Sequence, residues 1–310
     1  MKVLMNKKQN GTIQIDVDEA WTILKYFGHE QEDSNYVYST SIERMLDLFD
    51  QYNFKATFFI VGKDAQNPEK RIILNKILQK GHELANHSLS HIKGFENQPL
   101  KIKKKEIIEA DKILSDISGK KICGFRAPGY SIDEEILDIL EENGYLYDSS
   151  IFPSFLCALI SKRELKKGES PAYGNFKNFM APLSMYRPLK GKMWKRGNRR
   201  LIEIPVTMMP FLRIPYQMSF VYASHIKLFD VGFFLSRKFG SVFNYVLHGI
   251  ELVNEFNDSR FPRQFKVSKP VKEREAIYRH IFSNISKYYN IITSESFVKA
   301  SMLRQTILKN

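Results

Sequence analysis

The chain has 310 residues, of which 43% are hydrophobic and 26% charged, with a formal net charge of +13. This composition suits a soluble α/β core, one large domain or two smaller ones, and the excess positive charge predicts an anionic partner: nucleic acid, a membrane surface or a phosphate-bearing substrate. No run approaches ~18 uncharged apolar residues, which excludes a spanning helix, and two cysteines, Cys123 and Cys157, make no disulfide framework.

Residues 12–17, TIQIDV, read as a short strand running into acidic residues. SIERMLDLFDQYN (41–53) spaces Ile42, Met45, Leu46, Leu48 and Phe49 as a helix, with Ser41 as its N-cap. ATFFIVG (56–62) is a continuous apolar run, as in a strand buried on both faces of a parallel sheet. A helix follows at 68–81, stopped by Gly81, and HELANH continues as a strand ending at histidines. The rhythm repeats: a helix over 100–119, a strand over 121–129 with Cys123 in its core, a helix over 131–144 opened by a Ser131/Glu134 capping box, and a strand over 145–150. Between 152 and 243 the rhythm breaks into a Phe-, Met-, Pro- and Lys/Arg-rich region. It returns with NYVLHGIEL (244–252), a strand ending at His248, then a helix near 271–289 and a strand-like 290–297. Alternating strands and helices argue for parallel βα units.

Chemistry-bearing residues recur at the ends of these strands: Asp16 and Asp18, His87 and His91, Arg126, Asp148 and His248. In a parallel βα barrel all such ends share one face, where active sites are built. In GHELANHSLSH (81–91), His87 and His91 stand four apart, which on a helical turn puts them on one face. Two imidazoles and one aspartate make an open catalytic metal set rather than a closed structural one. In Asp16-Val17-Asp18 the two carboxylates point the same way only if the chain is extended. One of them could bind metal and the other take a proton from water; Glu19 is a weaker candidate for either part.

In these residues the chain resembles the metal-dependent polysaccharide deacetylases. IDVD is similar to the family's aspartate motif in an Asp-x-Asp form, NHSLSH to its histidine motif, GFRAPGYS to its arginine-proline motif, YLYDSSIFP to its next segment and VLHGIEL to its last histidine motif. The resemblance covers roughly 12–152 and 244–298. It implies one α/β domain over 1–310, an incomplete (β/α)7 barrel with an insertion, 152–243, before the last motif. It implies hydrolysis of an N-acetyl or N-formyl group on an amino sugar. Asp18, His87 and His91 would hold one divalent ion, usually Zn2+, with Co2+, Mn2+, Ni2+ or Fe2+ as substitutes. Asp16 would be the general base, paired with Arg126 and held ionised by it. His248 would be the general acid and Asp148 would tune the pair. The Gly129 amide would face the oxyanion, with Tyr130 standing one place later than the family's usual aromatic.

The segment EIPVTMMPFLRIPY resembles the subgroup acting on undecaprenyl-phosphate-linked sugars. With the net charge and no apolar h-region in MKVLMNKKQNG, the expectation is a cytoplasmic enzyme able to lie on the anionic inner membrane face, in lipopolysaccharide or capsule assembly. Two other functions compete: a hydrolase of a small non-sugar amide on the same barrel, and an inactive sugar-binding protein. An open polar groove favours sugar; a narrow pocket favours the small amide. No zinc-finger, RNP-like or helix-turn-helix signature supports nucleic acid as the partner.

Overall fold

The alternation in β1 (Gln9–Val17) sets the architecture. Ile13, Ile15 and Val17 face one way, Thr12, Gln14 and Asp16 the other, and all six are buried. Both faces of β1 are therefore covered, as in a parallel sheet wrapped by helices. In the computed structural model, which describes residues 8–30, 33–166, 174, 176–239 and 242–307, the next parallel strands follow in order. They are β2 (Thr57–Ile60), β3 (Glu83–Asn86), β4 (Gly124–Phe125) and β5 (Tyr147–Asp148). The helices α1 (Ala20–Tyr26), α2 (Ile42–Tyr52), α3 (Pro68–Gln79), α4 (Leu100–Ser118) and α5 (Glu134–Glu142) lie between them.

The 152–243 region supplies α6 (Phe155–Lys166), an antiparallel hairpin of β6 (Pro188–Leu189) and β7 (Lys192–Arg196), then β8 (Ile202–Glu203), α7 (Met218–Ala223) and α8 (Lys227–Phe239). Strand β8 pairs with β5 and extends the barrel wall, so this region completes the core as well as decorating it. The chain then adds β9 (Asn244–His248), α9 (Val271–Tyr288), β10 (Tyr289–Ile291) and α10 (Ser294–Ile307). Strand β9 pairs with the upper part of β1 and β10 with its lower part. The result is an incomplete, seven-stranded parallel barrel running from β9 through β1 to β8, with β10 beside it. Between β8 and β9 the described residues show no ladder; there Asn244 bonds the Ile204 and Pro205 carbonyls, at 3.3 Å each.

The barrel interior is polar, unlike the branched aliphatic layers that commonly fill such barrels. Gln14 reaches Ser294, Thr57 and Tyr147 bond the Glu83 carboxyl at 2.8 Å each, and Ser149 bonds Gln14 at 2.9 Å. Burying such groups is tolerable because they satisfy one another. Gly124 lies in register with Tyr147, and a Cβ there would stand 2.0 Å from the ring. Gly124→Ala is expected to destabilise the fold by about 1–3 kcal/mol or more, read as a lower urea midpoint; an unchanged midpoint would contradict this packing.

The helix boundaries differ from the sequence reading where local hydrogen bonds decide. Ser41 makes no cap, because a π-turn over Val37–Ser41 feeds straight into α2. Helix α5 is capped by Asp133, which accepts from the Ile136 amide at 2.9 Å, while Ser131 turns away to the Glu96 amide. Most of 290–297 is not strand: Ser294 already begins α10. Cys123 is half-buried rather than core; Cys157 is buried. No helix among the described residues is long and apolar enough to cross a membrane.

Candidate active site

The C-terminal ends of β1, β3, β4 and β9 meet at one mouth. An open cleft of about 810 Å³ there is lined by Asp16, Asp18, His87, His91, Gly129, Tyr130 and His248 together with Tyr26, Phe152, Phe220 and Phe265. Asp16 ends the inward face of β1 and is in register with His248 on β9, which explains how residues so distant in sequence come to face each other. Asp18 lies just beyond the strand, and both carboxylates line the mouth.

His87 follows β3 directly, its amide bonded to the Ile60 carbonyl at 3.0 Å. The pair is not on a helical turn. Ser88 and His91 take positive φ of 64° and 52°, and the loop is pinned from several sides. Asn86 accepts from the Ser88 amide at 2.8 Å, Ser88 from the His91 amide at 3.1 Å, and Glu106 holds Ser90 by both amide and hydroxyl. The turn brings the imidazoles to a ring separation of 5.0 Å.

Asp18 Oδ1 lies 3.4 Å from His87 Nε2 and 3.3 Å from His91 Nε2, and these three residues can offer ligand atoms all within 4.8 Å of one another. His87 Nδ1 lies 2.8 Å from the Arg126 carbonyl, which only accepts, so Nδ1 carries the proton and neutral Nε2 aims a lone pair at the carboxylate. Asp18 Oδ1 and His91 Nδ1 are buried without a hydrogen-bond partner. A buried carboxylate facing two imidazole lone pairs calls for a cation between them, and the donor set fits a divalent ion of the zinc type. Burial raises the Asp18 pKa, but His91 and His87 outweigh it and hold the carboxyl well below its usual range. Burial lowers His91 to about 4, whereas at His87 the Asp18 carboxylate overcomes burial and lifts the pKa, so the two imidazoles differ and a cation would take the place of the His87 proton.

Beside this set, the fully buried Arg126 donates to Asp16, Gln14 and the Ser149 carbonyl, and its guanidinium stacks 4.4 Å over Phe59. Across Asp16, His248 Nε2 stands 4.0 Å from Oδ2. His248 Nδ1 lies 3.3 Å from Glu251, whose other oxygen accepts from Tyr278 at 2.6 Å. Burial pulls the His248 pKa down, but Glu251, with Asp16 and Asp18 behind it, overcomes this and lifts the group to about 9. Glu251 sits in the HGIE segment but carries no separate signal in sequence; a carboxylate three residues after a strand-end histidine is the trace it leaves.

Asp148 is not brought to the cleft. Its side chain faces away from the barrel interior, accepting from Ser150 Oγ at 2.6 Å, and Ser150 in turn accepts from the Ala127 amide at 2.8 Å. Its effect on the site runs through the loop after Arg126. Burial and the adjacent Asp148 charge push the neighbouring Glu203 carboxyl well up. Glu19 is structural too, accepting from the amides of Ala20, Tyr36 and Val37. In the loop after Arg126, the Tyr130 and Ser131 amides bond the Ala127 and Pro128 carbonyls. Gly129 has φ 58°, and a Cβ there would lie 2.4 Å from Tyr26 Oη. The departure from an aromatic at 129 thus goes with Tyr26 of α1 occupying the adjoining space.

Fold and site together define a class: an incomplete parallel βα barrel with a His₂–Asp cluster and an Asp–Arg pair at its strand ends. Residues 32–147 match the family model described as polysaccharide deacetylase. A peptidoglycan-N-acetylglucosamine deacetylase of Bacillus cereus is 30% identical over 107 residues, 34% of this chain and 48% of that protein. A peptidoglycan deacetylase of Helicobacter pylori is 26% identical over 146 residues, 45% of this chain and 47% of that one. The chain spans about half the length of these curated relatives. A solved Mycobacterium smegmatis structure named for the same family superposes with a TM-score of 0.64 at 16% identity, covering 98% of this chain and 94% of that one, a likeness of fold. Over residues 32–147 the chain is thus similar to the polysaccharide deacetylase family.

Proposed function

We propose that this protein is a metal-dependent amide hydrolase that removes an N-acetyl or N-formyl group from an amino sugar. The observation that carries the reading is the Asp18–His87–His91 cluster set beside Asp16–Arg126 and His248 at one barrel mouth. Asp18, His87 and His91 hold the ion, zinc by preference, and when bound it supplies the positive charge that polarises the acyl carbonyl and acidifies water. Asp16, oriented by Arg126, accepts the proton of the attacking water. The Gly129 amide donates to the oxygen that becomes negative in the tetrahedral state. His248, protonated at neutral pH, gives its proton to the departing nitrogen as the C–N bond breaks, leaving a carboxylate and a primary amine. Asp148 acts on this chemistry only by positioning the 126–130 loop.

The cleft is open, as a sugar requires, but its walls at Phe27, Phe152, Phe220 and Phe265 are apolar rather than polar, which suits a sugar on a lipid carrier, as in cell-surface polysaccharide or lipopolysaccharide assembly at the cytoplasmic face of the membrane. Presence of every acid–base and ligand residue argues against an inactive binding protein. The test incubates the zinc-reconstituted protein with N-acetylated and N-formylated amino sugars, free and lipid-linked, and with a small non-sugar amide. Release of carboxylate and primary amine from a sugar, abolished by Asp16→Asn, is the expected result. Hydrolysis of the small amide alone would replace the sugar reading, and no hydrolysis with metal bound would favour the binding protein.

A further inference from the structure

Large apolar side chains exposed singly are normal on a soluble protein. Here they form one connected face. Residues 208–215 make a hairpin, with Met208 bridged to Pro215 and the Met209 amide bonded to the Ile214 carbonyl. Its tip holds Phe211 and Leu212, 77% and 65% exposed. Phe211 and Arg213 take positive φ of 65° and 52°, a conformation that side chains other than glycine seldom adopt. This positive-φ turn holds Phe211 and Leu212 out toward water.

From the tip the face runs both ways. On one side, Phe211 packs edge-on against Phe239 at 4.9 Å, and the Lys238 ammonium lies over the Phe239 and Phe234 rings at the exposed end of α8. On the other, Arg213 donates to the carbonyls of Phe179 and Ala181, and Phe179 packs against Phe155 of α6 at 5.0 Å. Helix α6 exposes Phe155, Leu156, Leu159 and Ile160 on its first turns and Lys162, Arg163 and Lys166 near its end. The helix and the hairpin are rooted in the apolar cluster that lines the cleft, through Cys157 and Met208, which pack with Tyr130, Phe152 and Val246. An exposed aromatic and aliphatic surface, edged by lysine and arginine on a chain of net charge +13, matches the apolar and anionic layers of a bilayer interface in order.

We propose that the face formed by α6, the 208–215 hairpin tip and the outer side of α8 docks on an anionic lipid bilayer, presenting the cleft to substrates held at the membrane. This deepens the lipid-carrier part of the reading above and rests on it for the identity of the substrate; the docking itself is tested without it. Folded protein is co-sedimented with vesicles of phosphatidylcholine alone and of phosphatidylcholine with phosphatidylglycerol, at low and high salt. The wild type is expected to pellet with the anionic vesicles and to be released by salt. Phe211→Ser/Leu212→Ser and Leu156→Ser/Leu159→Ser should each weaken partitioning about tenfold or more. Ile72→Ser, a change at an exposed residue of α3, should bind as the wild type does. Metal content and hydrolysis of a soluble N-acyl sugar, measured on the same samples, separate loss of docking from failure of the chemistry. No binding of the wild type to anionic vesicles, or equal binding by the double variants, would overturn the proposal. So would self-association in sedimentation velocity that the tip variant abolishes, which would give the face to a second copy of the chain.

Discussion

His87→Ala and His91→Ala are each expected to release the divalent ion and to lower kcat/KM by about 10³-fold or more, since positive charge at the carbonyl is worth several kcal/mol in such a site. Elemental analysis of folded variants beside the zinc-loaded wild type reads the first effect and amine release the second. The structure also ranks the two. His87 is oriented by the Arg126 carbonyl, whereas His91 Nδ1 is buried without a partner. An orienting hydrogen bond on the far nitrogen typically changes metal affinity 10–100-fold, so His87→Ala should lose metal more completely than His91→Ala. Full metal retention in both would remove the cluster from the chemistry.

The second large effect concerns the proposed acid. His248→Ala is expected to lower kcat/KM by about 10²–10⁴-fold at neutral pH with metal content unchanged. Glu251→Gln separates holding His248 in place from charging it. With Glu251 present, the His248 pKa is raised to about 9, so the group carries its proton below that pH and loses it as pH rises through it. Activity that needs this proton therefore falls on the alkaline side. Without the Glu251 charge the strongest influence opposing burial is lost and the pKa drops from about 9, so the alkaline limb of kcat/KM should move to lower pH. A limb that stays in place while the rate falls would make Glu251 a purely packing residue and would argue against His248 as the acid.

Much of this arrangement was legible in the chain because parallel strands gather chemistry at their ends. Asp16, Asp18, His87, His91, Arg126 and His248 could be read as one mouth from strand order alone, and the structure brings them together, with Arg126 buried behind Asp16. What was not legible depends on direction within a strand or on distant partners. Asp148 ends a strand as the others do, but β5 has only two residues, and its neighbours Tyr147 and Ser149 take the inward positions, which turns Asp148 outward. The histidine spacing suggested a helical turn, while Asn86, the serines and Glu106 build a left-handed loop with the same outcome. The cap at Asp133 won over Ser131 because Ser131 had a distant partner, the Glu96 amide. Helix α1 went unread because AWTILKY is short, and Glu19 rather than a Ser, Thr, Asp or Asn caps it.

The pairing of β1 with β9 also has a temporal side. β1 emerges before the other strands, yet its Thr12–Asp16 edge is covered by the last barrel strand to be made, and its Gln9–Gly11 edge by β10, made later still. Ladders of such long sequence separation form slowly. Until they form, the nascent chain carries an open strand edge beside a buried-type apolar face, the kind of surface that recruits chaperones or aggregates. The same register that sets His248 against Asp16 thus delays assembly of the proposed acid–base pair until the other barrel strands exist, so a chain cut short before β9 lacks both its last wall and His248.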